Sequence, residues 1–145
     1  MMKRTFLAIG ALALSLAGGL ATAEAGGSSV NIEQWGVGNG VGGAQTGRAN
    51  RLTVIQGGRY NSAISNQAGN RNVSVIGQLG RRNAANTAQR GSGNIAGVAQ
   101  FGSGHTVTTS QDGHGNAVGV IQAGRNNSAS TRQVGAGNVS VIVQD

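Results

Sequence analysis

The stretch that decides the fold is Gln56-Gly-Gly-Arg-Tyr-Asn61-Ser-Ala-Ile-Ser-Asn66-Gln67-Ala-Gly-Asn-Arg-Asn72-Val-Ser-Val-Ile-Gly77-Gln78. It reads Q-x-G-x-x-N plus five residues, twice, and returns to glutamine after 11 residues each time. Extended in both directions, the same register collects every glutamine of the chain: Gln34, Gln45, Gln56, Gln67, Gln78, Gln89, Gln100, Gln111, Gln122, Gln133 and Gln144. Glycine follows two positions after the first ten of these, at Gly36, Gly47, Gly58, Gly69, Gly80, Gly91, Gly102, Gly113, Gly124 and Gly135. Asparagine follows at five, at Asn39, Asn50, Asn61, Asn72, Asn83, Asn94, Asn116, Asn127 and Asn138, with His105 the single exception. A fixed internal period of this kind is the signature of a repeat architecture.

The five-residue segments alternate in character, so the true repeat is 22 residues, present five times. Arg51–Ile55, Val73–Gly77, Ile95–Ala99, Ala117–Ile121 and Val139–Val143 are apolar, whereas Gly40–Ala44, Ser62–Asn66, Ala84–Ala88, Thr106–Ser110 and Ser128–Arg132 are small and polar. Ser28–Gln34 adds one more apolar segment in front. An 11-residue period also suits a right-handed coiled coil. Here it would place a glycine in every helical unit, at about 1 kcal/mol each, among β-branched residues. Strands fit better: counted from Asn, alternate positions put Asn, two small or apolar residues and Gln on one face. The inner pairs are then Leu52/Val54, Ser74/Ile76, Ala96/Val98, Val118/Val120 and Ser140/Ile142 in the apolar segments. In the polar ones they are Val41/Gly43, Ala63/Ser65, Ala85/Thr87, Val107/Thr109 and Ala129/Thr131.

These patterns predict an all-β, flattened, amyloid-like cross-β solenoid with two strands per 22-residue coil and about five and a half coils. The glycine two positions after Gln is expected to bend the chain, because it takes positive φ without steric cost. Stacked coils would line up Gln34, Gln56, Gln78, Gln100, Gln122 and Gln144 in one column and the other five glutamines in a second. Each buried amide is then satisfied by the one above and the one below. The Asn positions are expected to form ladders in the same way.

Composition agrees. Of 145 residues 27 are Gly, none is Pro or Cys, 3% are aromatic and 10% charged, which leaves little for a thick globular core. Collagen is excluded by the missing proline and Gly-X-Y period, and disulfide scaffolds and Cys-based metal sites by the missing cysteine. The 38% of apolar residues argues against charge-driven disorder.

The N-terminus reads as a signal peptide over residues 1–25. Lys3 and Arg4 precede the apolar Phe6–Leu20, and cleavage is expected after Ala23 or Ala25. Residues 26–145 then form the repeat domain of a secreted protein. Cut after Ala25, that domain carries nine Arg against Glu33, Asp112 and Asp145, a charge near +6.

The pattern resembles the curlins, subunits of the bacterial curli amyloid fibre, whose repeat is S-x5-Q-x-G-x-x-N-x-A-x3-Q. Gln56-Gly58-Asn61-Ala63-Gln67, Gln78-Gly80-Asn83-Ala85-Gln89 and Gln122-Gly124-Asn127-Ala129-Gln133 fit it fully. Ser28 through Gln34, Gly36, Asn39 and Gln45 fit it with Val41 in the Ala place. Gln100-Gly102-His105-Val107-Gln111 departs twice, so the fourth repeat is expected to be the weakest. The longer Gly/Asn-rich segment that curlins carry after the signal peptide is reduced here to Gly26-Gly27. The resemblance implies a non-enzymatic structural subunit at the bacterial cell surface, assembling into an extracellular fimbrium that supports adhesion and biofilm. It implies self as the main partner, with another curlin subunit and the curli secretion and assembly proteins as further ones. Alternatives are a minor curlin that nucleates the fibre and a monomeric ice-binding-type solenoid, although Thr106 and Thr108 have no matching outer rungs.

The strands at the two ends, the first apolar one and Val139–Gln144, show no cap and are expected to stack on further copies. Arg48, Arg59, Arg71, Arg81, Arg82, Arg90 and Arg125 are expected mostly in turns, where they serve solubility or attract an anionic polysaccharide or extracellular DNA. An outer stripe of Ile55, Val73, Val75, Ile95, Ile121, Val139, Val141 and Val143 suggests lateral bundling. No catalytic, cofactor or metal site is expected, nor a small-molecule substrate: His105 takes a ladder slot, His114 a turn, and Trp35, Leu79 and Phe101 share one edge.

Overall fold

The computed structural model describes residues 26–145; the expected signal peptide lies outside them. Eleven strands follow one another: β1 (Ser29–Val37), β2 (Gly40–Arg48), β3 (Arg51–Arg59), β4 (Ser62–Asn70), β5 (Val73–Arg81), β6 (Ala84–Ser92), β7 (Ile95–Ser103), β8 (Thr106–His114), β9 (Ala117–Arg125), β10 (Ser128–Ala136) and β11 (Val139–Gln144). Odd-numbered strands make a six-stranded sheet in the order β1-β3-β5-β7-β9-β11, and even-numbered strands a five-stranded one, β2-β4-β6-β8-β10. Every pairing is parallel and offset by 22 residues, as in Gln56↔Gln78 and Gln67↔Gln89. The chain is thus a two-sheet β-solenoid that changes sheet at every turn.

The 22-residue offset follows from the inner face, because only that register keeps small, apolar and amide residues on like neighbours. Leu52, Val54, Ile76, Val98, Val118 and Val120 from one sheet meet Ala63, Ala85, Val107 and Ala129 from the other in a single buried cluster. At its midline, large and small residues alternate between sheets: Val54, Ser65, Ile76, Thr87, Val98, Thr109, Val120, Thr131, Ile142. This alternation lets two sheets close on a thin core at native density.

Thr87 satisfies its hydroxyl by donating to Ser65 Oγ at 2.9 Å and lying 2.9 Å from Ser74 Oγ. Thr109, 1% exposed, has no partner for its Oγ1. Thr109→Val keeps the shape and removes the orphan, so it should stabilise the fold by about 1 kcal/mol. A rise in the thermal unfolding midpoint relative to the parent chain checks this.

The connectors depart from the expectation that the glycine two positions after Gln makes the bend. Those glycines lie inside the strands, with φ of 98° at Gly47 and 125° at Gly80. The left-handed turn residue comes two positions later, and it is often not glycine: Ala49, Tyr60, Arg71, Arg82 and Asn126 all have φ between 54° and 59°. What requires glycine at the earlier position is also the coil above. A Cβ on Gly80 would overlap the carbonyl oxygen of Gly102.

Candidate functional site

The repeat residues form two continuous columns. In the larger sheet Gln34, Gln56, Gln78, Gln100, Gln122 and Gln144 are linked Nε2 to Oε1 at 2.6, 2.6, 2.8, 3.0 and 2.7 Å. In the other sheet Gln45, Gln67, Gln89, Gln111 and Gln133 are linked at 2.6, 2.9, 3.0 and 2.8 Å. From Gln45 onward each amide also reaches a backbone carbonyl of the facing sheet, as Gln78 does to Ser62 O at 2.9 Å. Each interior glutamine thereby ties the coil above, the coil below and the opposite sheet. The columns also have a direction, because every Nε2 donates toward the C-terminal end.

Asparagines work differently from a ladder of side-chain amides. Asn61 Nδ2 donates to Gly57 O at 3.1 Å and to Gly80 O at 3.2 Å, and its Oδ1 accepts the backbone N–H of Asn83 at 3.1 Å. Asn39, Asn50, Asn72 and Asn83 repeat this clamp on the turn of the next coil. Side-chain to side-chain bonds are added only at Asn72–Asn94, Asn94–Asn116 and Asn116–Asn138. Asn127 keeps the clamp on its own turn, donating to Ala123 O at 2.6 Å. Ser28 Oγ replaces the missing amide at the start by accepting from Asn50 N–H at 3.2 Å.

His105, fully buried, copies most of an asparagine. Its backbone N–H donates to Asn83 Oδ1 at 3.1 Å, its Nδ1 accepts from Asn127 N–H at 3.2 Å, and its Nε2 sits 3.1 Å from Phe101 O. These partners fix the tautomer with hydrogen on Nε2. The reach to Gly124 O, which an asparagine here would make by analogy with its neighbours, has no counterpart. His114 is on the surface, with Nδ1 2.9 Å from Ser92 Oγ. Among the described residues no group of three His, Asp or Glu is placed to hold a metal ion.

The repeat glycines bound the strands on both edges of the solenoid, and the surface grooves there are shallow. One is lined by Arg59, Arg81, Ser103 and Arg125 over Gly58, Gly80, Gly102 and Gly124. Arg48 and Arg71 line another on the opposite edge, and Arg82 holds a turn. Arg90 is not in a turn: it stands on the outer face of β6, directly beside Asp112 of β8, with Nη1 3.7 Å from Oδ2. That ion pair was hidden in the sequence until the 22-residue register made the two residues neighbours. The outer face of the larger sheet exposes Val75, Ile95, Ile121, Val139, Val141 and Val143. Trp35, Leu79 and Phe101 run along one of its rows, with the indole of Trp35 lying over Gly57.

Among the described residues both sheets end on strands paired along one side only, β1 and β2 at one end and β10 and β11 at the other. The arrangement binds and orients strands. The family described as curlin associated repeat matches residues 80–113 and again 106–135. No curated protein matches the chain.

Proposed function

We infer from the curlin associated repeats matched over residues 80–135 that this chain is a curlin-like structural protein, and that it is the building subunit of an extracellular amyloid fibre supporting adhesion and biofilm. The observation that carries the reading is the one-way hydrogen-bonded column running the length of both sheets. Gln133 and Gln144 point unused donor capacity out of one end, and Gln34 and Gln45 present acceptors at the other. Head-to-tail stacking matches donors to acceptors and pairs the open strand edges; head-to-head stacking sets acceptor against acceptor. Purified chain incubated at micromolar concentration should give thioflavin-positive fibres with a meridional spacing of about 4.7–4.8 Å. A monomer that persists for days under those conditions refutes the proposal.

A nucleating role is the second reading, suggested by the abundance of Arg along one edge of the solenoid, where Arg59, Arg81 and Arg125 line a groove. Seeding of another curlin at low molar ratio separates nucleator from bulk subunit. The same arginine edge suits an anionic polysaccharide or extracellular DNA, read out as heparin or DNA binding that weakens with salt. Secretion follows from the residue 1–25 leader and is checked by the N-terminal sequence of the exported protein.

Val75 and Val141 are 43% and 70% exposed on one outer face, so lateral association of filaments should run through it. Val75→Lys combined with Val141→Lys should thin bundles in electron micrographs and leave elongation rate within about twofold, since exposed substitutions of this kind cost little in the strand itself.

A further inference from the structure

Resting on the reading that copies stack end to end, we propose that successive copies are related by a half-turn about the fibre axis, so that β1 of each copy joins the five-stranded sheet of the copy before it. The described residues hold an odd number of strands, six in one sheet and five in the other. At the C-terminal end β11 therefore stands half a coil beyond β10. If the next copy kept the same sheets, its β1 would pair with β11, and its β2 would be separated from β10 by the width of a missing strand. That junction leaves two nine-residue edges without partners inside the fibre, against the need to satisfy buried backbone groups. A half-turn removes the gap: β1 of the incoming copy pairs with β10, and its β2 pairs with β11.

The strands permit the exchange because both sheets have the same geometry. Strands β1 through β10 are nine residues long with Gln at the sixth position. The junction then aligns Gln133 with Gln34 and Gln144 with Gln45 of the next copy, continuing both columns in their donor-to-acceptor direction. In the core it brings Ile142 opposite the incoming Ile32, two large residues where the interior alternates large with small. The following midline residue is Gly43, which has no side chain and leaves the space that contact needs.

Charge selects the same arrangement. Arg132 is exposed on the outer face of β10, with Ser110 as its paired neighbour on one side and, among the described residues, no strand on the other. Glu33 is exposed at the same position of β1, with Ile55 on one side and, among the described residues, no strand on the other. The half-turn places Glu33 directly beside Arg132, the relation that already produces the Arg90–Asp112 pair inside the chain. Without it Glu33 lands beside Val143. Each copy advances the fibre by about 26 Å, so the apolar outer stripe switches faces copy by copy and the full axial repeat is about 53 Å.

Cysteine cross-linking distinguishes the two junctions, since the chain has no cysteine of its own. Directly paired positions on neighbouring strands lie about 4.8 Å apart, within disulfide range. In fibres assembled reduced and then oxidised, Glu33→Cys with Arg132→Cys should give a ladder of covalent multimers on a denaturing gel. Glu33→Cys with Val143→Cys should stay monomeric. The reverse result, or fibres in which neither pair links, overturns the half-turn. A charge exchange tests it without cysteine: Glu33→Arg and Arg132→Glu should each slow elongation roughly two- to fivefold, and the double variant should return to within about twofold of the parent. Failure of the double variant to recover also overturns it. Absence of fibres from the unsubstituted chain overturns the stacking reading and this one with it, whereas fibres with the wrong linkage overturn this one alone.

Discussion

Gly80→Ala is expected to prevent the solenoid from closing around its third coil, with a loss of more than about 4 kcal/mol, enough to unfold a chain with so thin a core. Two costs act together at this position. Its φ of 125° is a region that residues with a Cβ rarely adopt, a strain of about 1–3 kcal/mol. The added methyl would also overlap the carbonyl oxygen of Gly102 in the next coil. Relief by moving the strands apart would stretch the Asn83 clamp on Gly102 O and the Gln78–Gln100 bond beside it. Circular dichroism of freshly purified protein and the yield of fibres both report the outcome. Gly137→Ala is the control: it has φ of 68° and no atom within 4 Å of the added Cβ, so it should cost only the left-handed backbone strain, about 1–2 kcal/mol.

Gln78→Leu should be nearly as damaging, by about 3–6 kcal/mol. The substitution takes a hydrogen-bond partner from three polar groups: one N–H of Gln56 Nε2, the Oε1 of Gln100 and the carbonyl of Ser62. Each loss costs about 1–3 kcal/mol, and the leucine recovers part of this through apolar burial. Gln34→Leu, at the exposed first coil, breaks a single side-chain bond to Gln56 and should cost about 1 kcal/mol. Denaturant unfolding of the soluble monomer, measured before fibres form, gives the comparison. Equal effects at the two positions would mean that the columns contribute no more in the interior than at the surface.

The architecture was legible because its determinants are local and repeated. Eleven-residue spacing and period-2 alternation specify a strand, a turn and an inward face. Repetition then specifies which residue stands above which, so the solenoid, the pairing of Gln56 with Gln78 and the core of Leu52, Val54, Ile76 and their fellows could be expected from spacing. The turns were read less well. A glycine at a fixed place suggests a bend, yet the left-handed residue is two positions further on, where Gly38, Gly93, Gly104, Gly115 and Gly137 stand in half of the turns but Ala49, Tyr60, Arg71, Arg82 and Asn126 accept the strain in the others. The asparagines were read as the glutamines' equals, but a side chain one methylene shorter reaches backbone carbonyls of its own turn and the next coil before it reaches another amide.

What the sequence by itself determined was the period, the two faces of every strand and the identity of vertical neighbours, since these follow from chain geometry at 11 and 22 residues. What only the tertiary structure decided was which atoms meet when those neighbours come within hydrogen-bonding distance. It decided that Gly80 is confined by the carbonyl of Gly102, that Asn61 clamps a turn, that His105 turns its Nδ1 to the backbone of Asn127, and that Arg90 pairs with Asp112. Register fixes who stands next to whom; the separation and orientation of two stacked backbones fix what they do there.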